Sequence, residues 1–159
     1  YGCKTHKREE KFASSFVDNS EFHHHIAEVT ETDFIFLAPV CSPFVSVETH
    51  TKAINLFLDN NCDSLTSVDI IKNHLWLNGE PLNYSLSRVP NSQELPDVMR
   101  LNYGISIITR ESMLNNRGLI GDNPEFYILD EIESVDTDTP MDFTFAEHLY
   151  DKLNKKDTE

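Results

Sequence analysis

The stretch ESVDTDTPMDFTFAEHL, Glu133 to Leu149, sets Asp136 and Asp138 one residue apart, directly before a strongly signposted helix. In an extended segment residues i and i+2 point to the same side, so both carboxylates face one way. Like charges at that spacing repel unless something cationic sits between them. A hard divalent ion such as Mg²⁺ takes one or two protein carboxylates and keeps its other positions for water and phosphate oxygens. Two readings follow: a cation site built for phosphate chemistry, or two solvated loop acids, one of which favours the N-terminus of the next helix. Spacing alone favours the solvated acids, because motifs this short recur without function.

The other reactive side chains read more simply. His23, His24 and His25 are consecutive, and helical neighbours point about 100° apart, so the three do not converge on one ion. Cys41-Ser42 lacks the G-x-S-x-G elbow of a nucleophile and reads as a packed cysteine at a strand end. Lys4, Lys7, Arg8 and Lys11 read as a weak anion patch or a solvated face.

The elements that must position these residues alternate between helix and strand. Asp18 is a candidate N-cap with Glu21 three residues on, and Phe22, Ile26 and Val29 fall on one helical face. DFIFLAP reads as a buried strand stopped by Pro39. A helix capped by Ser46 covers Val47 to Asp59, and CDSLTSV is the next strand. Asn78-Gly79 between extended segments signals a hairpin, with Trp76 beside it as a packing or interface aromatic. The polar SLSRVPNSQELPDVMR leaves the core; LNYGISIIT returns as a strand, RESMLNN is a short helix and EFYIL a last strand. Thr139, Pro140 and Asp142 then open the terminal helix, with Phe145, Ala146, Leu149 and Leu153 as its apolar stripe. This alternation predicts an α/β layered sheet.

Length and charge narrow the function. The 159 residues make one domain with room for a core, and 27 acids against 13 bases give a formal net charge of -14. Such a field repels a nucleic-acid backbone, so no nucleic-acid partner is expected. A small anion remains admissible where a metal or a local arginine dominates. The longest apolar run, Phe34 to Cys41, is too short to cross a bilayer. Three cysteines, Cys3, Cys41 and Cys62, without C-x-x-C spacing point to reduced thiols and a cytoplasmic location.

Several segments, in order, resemble the acylneuraminate cytidylyltransferases, which activate sialic acids and related sugar acids with CTP. SVDTDTPMDFTFAEHL is similar to that family's S-[IV]-D-I-D-T-x-x-D-[FL]-x-x-A-E, and SQELPDVMRLNYGISI to its R-Q-x-L-P followed by R-x-N-G-A-I-Y-I. DSLTSV resembles D-S-[VL]-x-S-V, and PVCSPF resembles Q-P-T-S-P-[LF]. The resemblance implies a Rossmann-like three-layer α/β/α sandwich of the nucleotide-diphospho-sugar transferase type, with residues 1–159 as one domain. It implies Mg²⁺ on Asp136 and Asp138, and substrate contacts from Arg100, Asn102, Gln93, Ser42, Pro39 and Ser106. It also implies CTP and a sugar acid as substrates, and a homodimer made through an arm at about residues 72–100.

Several of the departures from the family pattern fall on positions that shape the sugar pocket in that family. Pro39 stands for a Gln, Cys41 for a Thr, Ser92 for an Arg, Tyr103 for a Gly and Ser106 for a Tyr. Leu119 and Ile120 stand where an aromatic pair is expected. Losing a side-chain amide and aromatic walls together changes which sugar fits. The family's Gly-rich phosphate loop corresponds to sequence ahead of Tyr1, and the five glycines here are scattered. The resemblance thus implies that these residues are the C-terminal part of a longer enzyme and are inactive alone, because positioning catalysis needs its phosphate cradle. The alternatives are a non-catalytic dimeric binding module of the same fold, or a cytidylyltransferase for another sugar acid such as the lipopolysaccharide octulosonate.

Overall fold

A computed structural model describes residues 2–14 and 16–155. Its strands are β1 (Phe34–Leu37), β2 (Ser64–Ile71), β3 (Trp76–Leu77), β4 (Glu80–Pro81), β5 (Val98–Thr109) and β6 (Pro124–Ile128). The helices are α1 (Asn19–Val29), α2 (Val47–Asp59), α3 (Arg110–Asn116) and α4 (Pro140–Lys155). Four strands form one sheet in the order β1-β5-β2-β6, and β3 and β4 form a separate ribbon. β5 is antiparallel to β1 and to β2, while β2 and β6 are parallel. β1, β2 and β6 therefore run one way, and β5 runs back between them.

Two apolar clusters cover the two faces of the sheet. Ala53 and Phe57 of α2 pack with Leu65, Ile105, Ile107 and Leu129 on one face. Ala27 of α1 and Met113 of α3 pack with Ile35 and Ile108 on the other. Each fully buried Leu or Ile contributes about 1.5–3 kcal/mol. The result is the α/β layered sheet that the alternation of elements predicts, in the Rossmann-like three-layer α/β/α form that the resemblance implies.

Helix starts follow the capping chemistry. Asp18, Ser46 and Thr109 accept from the backbone N–H of Glu21 (3.0 Å), Thr49 (3.1 Å) and Ser112 (3.1 Å). At α4 the box is reciprocal: Thr139 N–H donates to Asp142 (2.9 Å), and Asp142 N–H donates to Thr139 Oγ1 (3.3 Å). The Asn78-Gly79 turn has φ of 52° and 85°, the left-handed pair that closes a two-residue hairpin.

Three expectations need correction. The FIFL segment is an edge strand, with Phe34 and Phe36 48% and 41% exposed. In α1 the fully buried residue is Ala27, with Ile26 half-buried against the same cluster as expected, while Val29 is exposed. In α4 Ala146 is buried and Phe145 turns outward. β5 is also longer than its apolar part, because Val98–Asn102 continue the ladder along β2 as an exposed strand.

Asp63, just ahead of β2, ties the far end of the sheet together. Its carboxylate accepts from Asp122 N–H (2.8 Å), Asn123 N–H (3.0 Å) and Ser112 Oγ (3.0 Å), and its backbone carbonyl accepts from Thr109 N–H (2.9 Å). Burial pushes this carboxyl's pKa up, but the hydrogen bonds outweigh burial and hold it below the usual 3.8. A Cβ on Gly121 would stand 2.2 Å from the carboxylate. Gly121→Ala is expected to displace Asp63 and cost about 1–3 kcal/mol, the range for breaking hydrogen bonds to a charged group, toward its lower end because these bonds are exposed or part-buried. Chemical denaturation checks this, and the loss is expected to be sub-additive with Asp63→Asn. Because the folded pKa is depressed, the Asp63 contribution is present above pH 3.8 and fades as pH falls through the lower folded value. The Asp63→Asn variant should lack that part of the acid transition.

Candidate functional site

The reactive residues meet at the carboxyl ends of β1, β2 and β6, where open α/β sheets place their ligands. There a cleft of about 640 Å³ is lined by Arg100, Leu101, Asn102 and Tyr103 from β5, by Asp136, Asp138 and Asp142, and by Phe145 of α4. Because β5 runs against its neighbours, its first half lies at this edge. The charges are unbalanced: among the described residues Glu131, Asp136, Asp138 and Asp142 line the cleft against Arg100 alone.

Asp136 and Asp138 come together as their alternation predicts, and Cys41 joins them. Oxygens from both carboxylates and the Cys41 Sγ lie within 4.8 Å of one another. Two bonds hold the segments in place: Thr137 N–H (2.9 Å) and Oγ1 (3.0 Å) both donate to the Cys41 carbonyl. Thr137, between the aspartates, thus ties them to the loop after β1; its N–H is shared with Asp136 Oδ1 (3.0 Å), and both flanking carboxylates line the cleft. Burial pushes the Cys41 thiol's pKa up, and Asp136, through a hydrogen bond and its charge, and then Asp138 push it further. Two unneutralised carboxylates at about 4 Å repel by roughly 1 kcal/mol in water and roughly 4 kcal/mol at the dielectric of a protein surface. The oxygen donors suit a divalent cation; the thiol does not suit a hard one.

Further back, Glu133 fastens the same loop to α2. Its carboxylate accepts from Ser46 N–H (3.0 Å) and from Thr49 Oγ1 (2.9 Å), an anion set against a helix N-terminus.

The opposite wall depends on a break in β5. From Thr66↔Ser106 to Val68↔Leu101 the register advances two residues on β2 and five on β5. Ser67 fills this bulge: its hydroxyl accepts from Ile105 N–H (2.9 Å) and donates to Asn102 Oδ1. Tyr103, in the bulge, adopts φ 54°, at the position where the cytidylyltransferase pattern carries a glycine. Asp69 organises the polar face. It takes Arg100 at 2.9 Å (Nη2) and 3.2 Å (Nε), and Asn102 Nδ2 at 3.4 Å.

The remaining candidates lie elsewhere. Gln93 is exposed, and its carbonyl accepts from Lys72 Nζ at 3.4 Å on the arm. Ser42 packs behind β5, with its Oγ 3.5 Å from the position a Gly104 Cβ would take. Pro39 closes the turn after β1, its carbonyl accepting from Ser42 N–H (3.3 Å). Ser106 is fully buried in the sheet between Leu37 and Thr66, so it does not line the cleft. The three histidines of α1 are half-buried and spread round the helix, His25 stacking on Phe12 and His24 facing Glu28. Sequence reasoning read Cys41 as a packed cysteine in a pocket motif and did not bring it to the aspartates, and it gave Asp69 no role. Asp69 had no signal of its own, because it acquires its role only through pairing with Arg100 across two strands.

Comparison with known proteins places the fold first. The chain resembles the crystal structure of 4-diphosphocytidyl-2C-methyl-D-erythritol synthase from Anaerococcus prevotii, with a TM-score of 0.61 over 85% of this chain and 67% of that one, at 9% identity. That likeness is one of fold. In sequence, the chain is 26% identical over 109 residues to post-translational flagellin modification protein B of Campylobacter coli, covering 65% of this chain and 46% of the relative. The chain thus spans about half the length of the curated relative it matches. No protein-family model matches the sequence.

Glu133→Ala is expected to cost about 1–3 kcal/mol of stability by orphaning Ser46 N–H and the Thr49 hydroxyl, measured by denaturant unfolding. Glu133→Gln should recover part of it, because an amide oxygen still accepts one of the two bonds.

Proposed function

We propose that this chain carries the metal and acceptor side of a cytidylyltransferase site. The reaction is transfer of CMP from CTP to the anomeric hydroxyl of a sialic acid-like nonulosonic acid. The hydroxyl oxygen forms a bond to the α-phosphorus, the bond from that phosphorus to the bridging oxygen breaks, pyrophosphate leaves, and the hydroxyl proton passes to solvent. The observation that carries this reading is the convergence of Asp136 and Asp138 within one cleft facing Arg100 and Asn102. The two relatives support it. One is named as the synthase of a diphosphocytidyl compound and the other for flagellin modification, which fits a CTP-dependent step whose product serves protein modification.

Roles follow from the geometry. Asp136 and Asp138 would hold a divalent cation, which when bound neutralises triphosphate charge in a cleft otherwise dominated by acids. Arg100 spends two donors on Asp69 and leaves the rest of its fork for the carboxylate of the sugar acid or a phosphate. Asn102, fixed by Ser67, lines the same wall. Among the described residues no helix is long and apolar enough to cross a membrane, and a cytoplasmic location matches the supply of CTP.

The arm supports a homodimer. Trp76, Leu77, Leu82, Leu86 and Val89 are all exposed on it, an apolar surface of the kind that marks an interface. Light scattering of the purified protein is expected to give a dimer, and Leu86→Asp to shift it toward monomer. A wild-type monomer at micromolar concentration overturns this part.

Activity is tested on the full-length protein by pyrophosphate release from CTP with a panel of nonulosonic acids. Asp138→Asn is expected to lower turnover on the order of 10²-fold or more, the scale of removing one preorganised electrostatic contact, with an unchanged circular dichroism spectrum. Wild-type turnover and metal dependence in that variant would return the aspartates to the status of solvated acids.

A further inference from the structure

We propose that Cys41 is the third protein ligand of the cation held by Asp136 and Asp138, so that the site takes a thiophilic divalent ion of the Zn²⁺ and Co²⁺ type in preference to Mg²⁺. This rests on the reading that the two aspartates hold a cation. It departs from the Mg²⁺ that resemblance alone implies.

The site is neither an acidic cluster nor a lone thiol. Three donor side chains from two segments 96 residues apart in sequence are drawn together by the two bonds from Thr137 to the Cys41 carbonyl. Their ligand atoms lie within 4.8 Å of one another. Donors bound to one tetrahedral ion at about 2.0–2.3 Å stand roughly 3.5 Å apart, so small side-chain rotations close the set. Three protein ligands with a fourth position open to the cleft is the pattern of a catalytic zinc centre.

Donor chemistry then selects the ion. Mg²⁺ demands oxygen ligands in near-octahedral geometry and does not accept sulfur. Thiolate favours Zn²⁺ and its neighbours, and imposes no octahedral requirement. Coordination releases the thiol proton to solvent, because a metal-bound sulfur is a thiolate.

The test uses Co²⁺ as probe on the full-length protein carrying Cys3→Ser and Cys62→Ser, and assigns to Cys41 only the sulfur signal that Cys41→Ser removes. An ultraviolet thiolate-to-Co²⁺ charge-transfer band is expected, lost in Cys41→Ser and weakened in Asp136→Asn. Competition with Zn²⁺ and Mg²⁺ should show Cys41→Ser reducing Zn²⁺ affinity at least about tenfold, the loss that even an outer-shell partner causes, with Mg²⁺ affinity little changed. Co²⁺ binding that depends on the aspartates but gives no charge-transfer band overturns the thiol ligand and leaves the aspartate site standing. No Co²⁺, Zn²⁺ or Mg²⁺ binding sensitive to either aspartate overturns both.

Discussion

One aspartate ties the elements at one end of the sheet together. Asp63 sits where β2 begins, and through side chain and backbone it reaches the loop entering β6, the first turn of α3 and the end of β5. A one-residue slip in a sheet turns every side chain to the wrong face. Fixing three strands at one end therefore decides what stands at the other. Gly121 is required for the same reason, since the carboxylate occupies the space any Cβ would need. The pinned end sets the positions from which Ser67, Asp69, Arg100 and Asn102 are measured.

Given that register, the bulge in β5 does the aiming. A regular ladder would carry the inward–outward alternation of Ile105, Ile107 and their neighbours straight through to Arg100. The extra residues opposite Ser67 break it, and Tyr103 takes a left-handed conformation that costs an ordinary residue roughly 1–2 kcal/mol. Ser67 compensates by satisfying Ile105 N–H and holding Asn102. Strain of this kind persists where the surroundings over-determine it. Here those surroundings are the two hydrogen bonds of a fully buried serine and the Asp69 network.

Much of this was legible in the sequence. Caps at Asp18, Ser46 and Thr139, the Asn78-Gly79 hairpin and the order of elements follow from local chemistry, and local chemistry is what a sequence displays. The aspartate pair was legible too, because alternation in an extended segment is also local. What escaped depends on contacts distant in sequence. FIFL reads as a buried strand by composition, yet its exposure depends on its place at the sheet edge. Ser106 aligns with a pocket residue by motif, yet β5 turns it into the sheet. Cys41 reads as packing until Thr137 brings it to the aspartates, and Asp69 is one acid among many until Arg100 is opposite it.

Charge finally decides what the cleft can receive. Four acids line it, and its one arginine is already engaged by Asp69, so an anionic substrate meets repulsion from the walls as well as from the overall charge of -14. A cleft of this sign admits a phosphate only with a cation already present or arriving with it. Asp136 and Asp138 are the half-buried and exposed members of a triad with Cys41, so a cation there would be open to the cleft on one side and backed by the protein on the other. Asp69, by contrast, is turned away from such a role. Its two oxygens are taken up by Arg100 and Asn102, which keeps the guanidinium on the wall facing the aspartates and prevents it from collapsing onto them. The acidity of the chain and the separation of its one cleft arginine from the aspartate pair are thus parts of one arrangement. On the proposed reading, the negative charge would draw a cation, and the restrained positive charge across the gap would leave room for an anion between them.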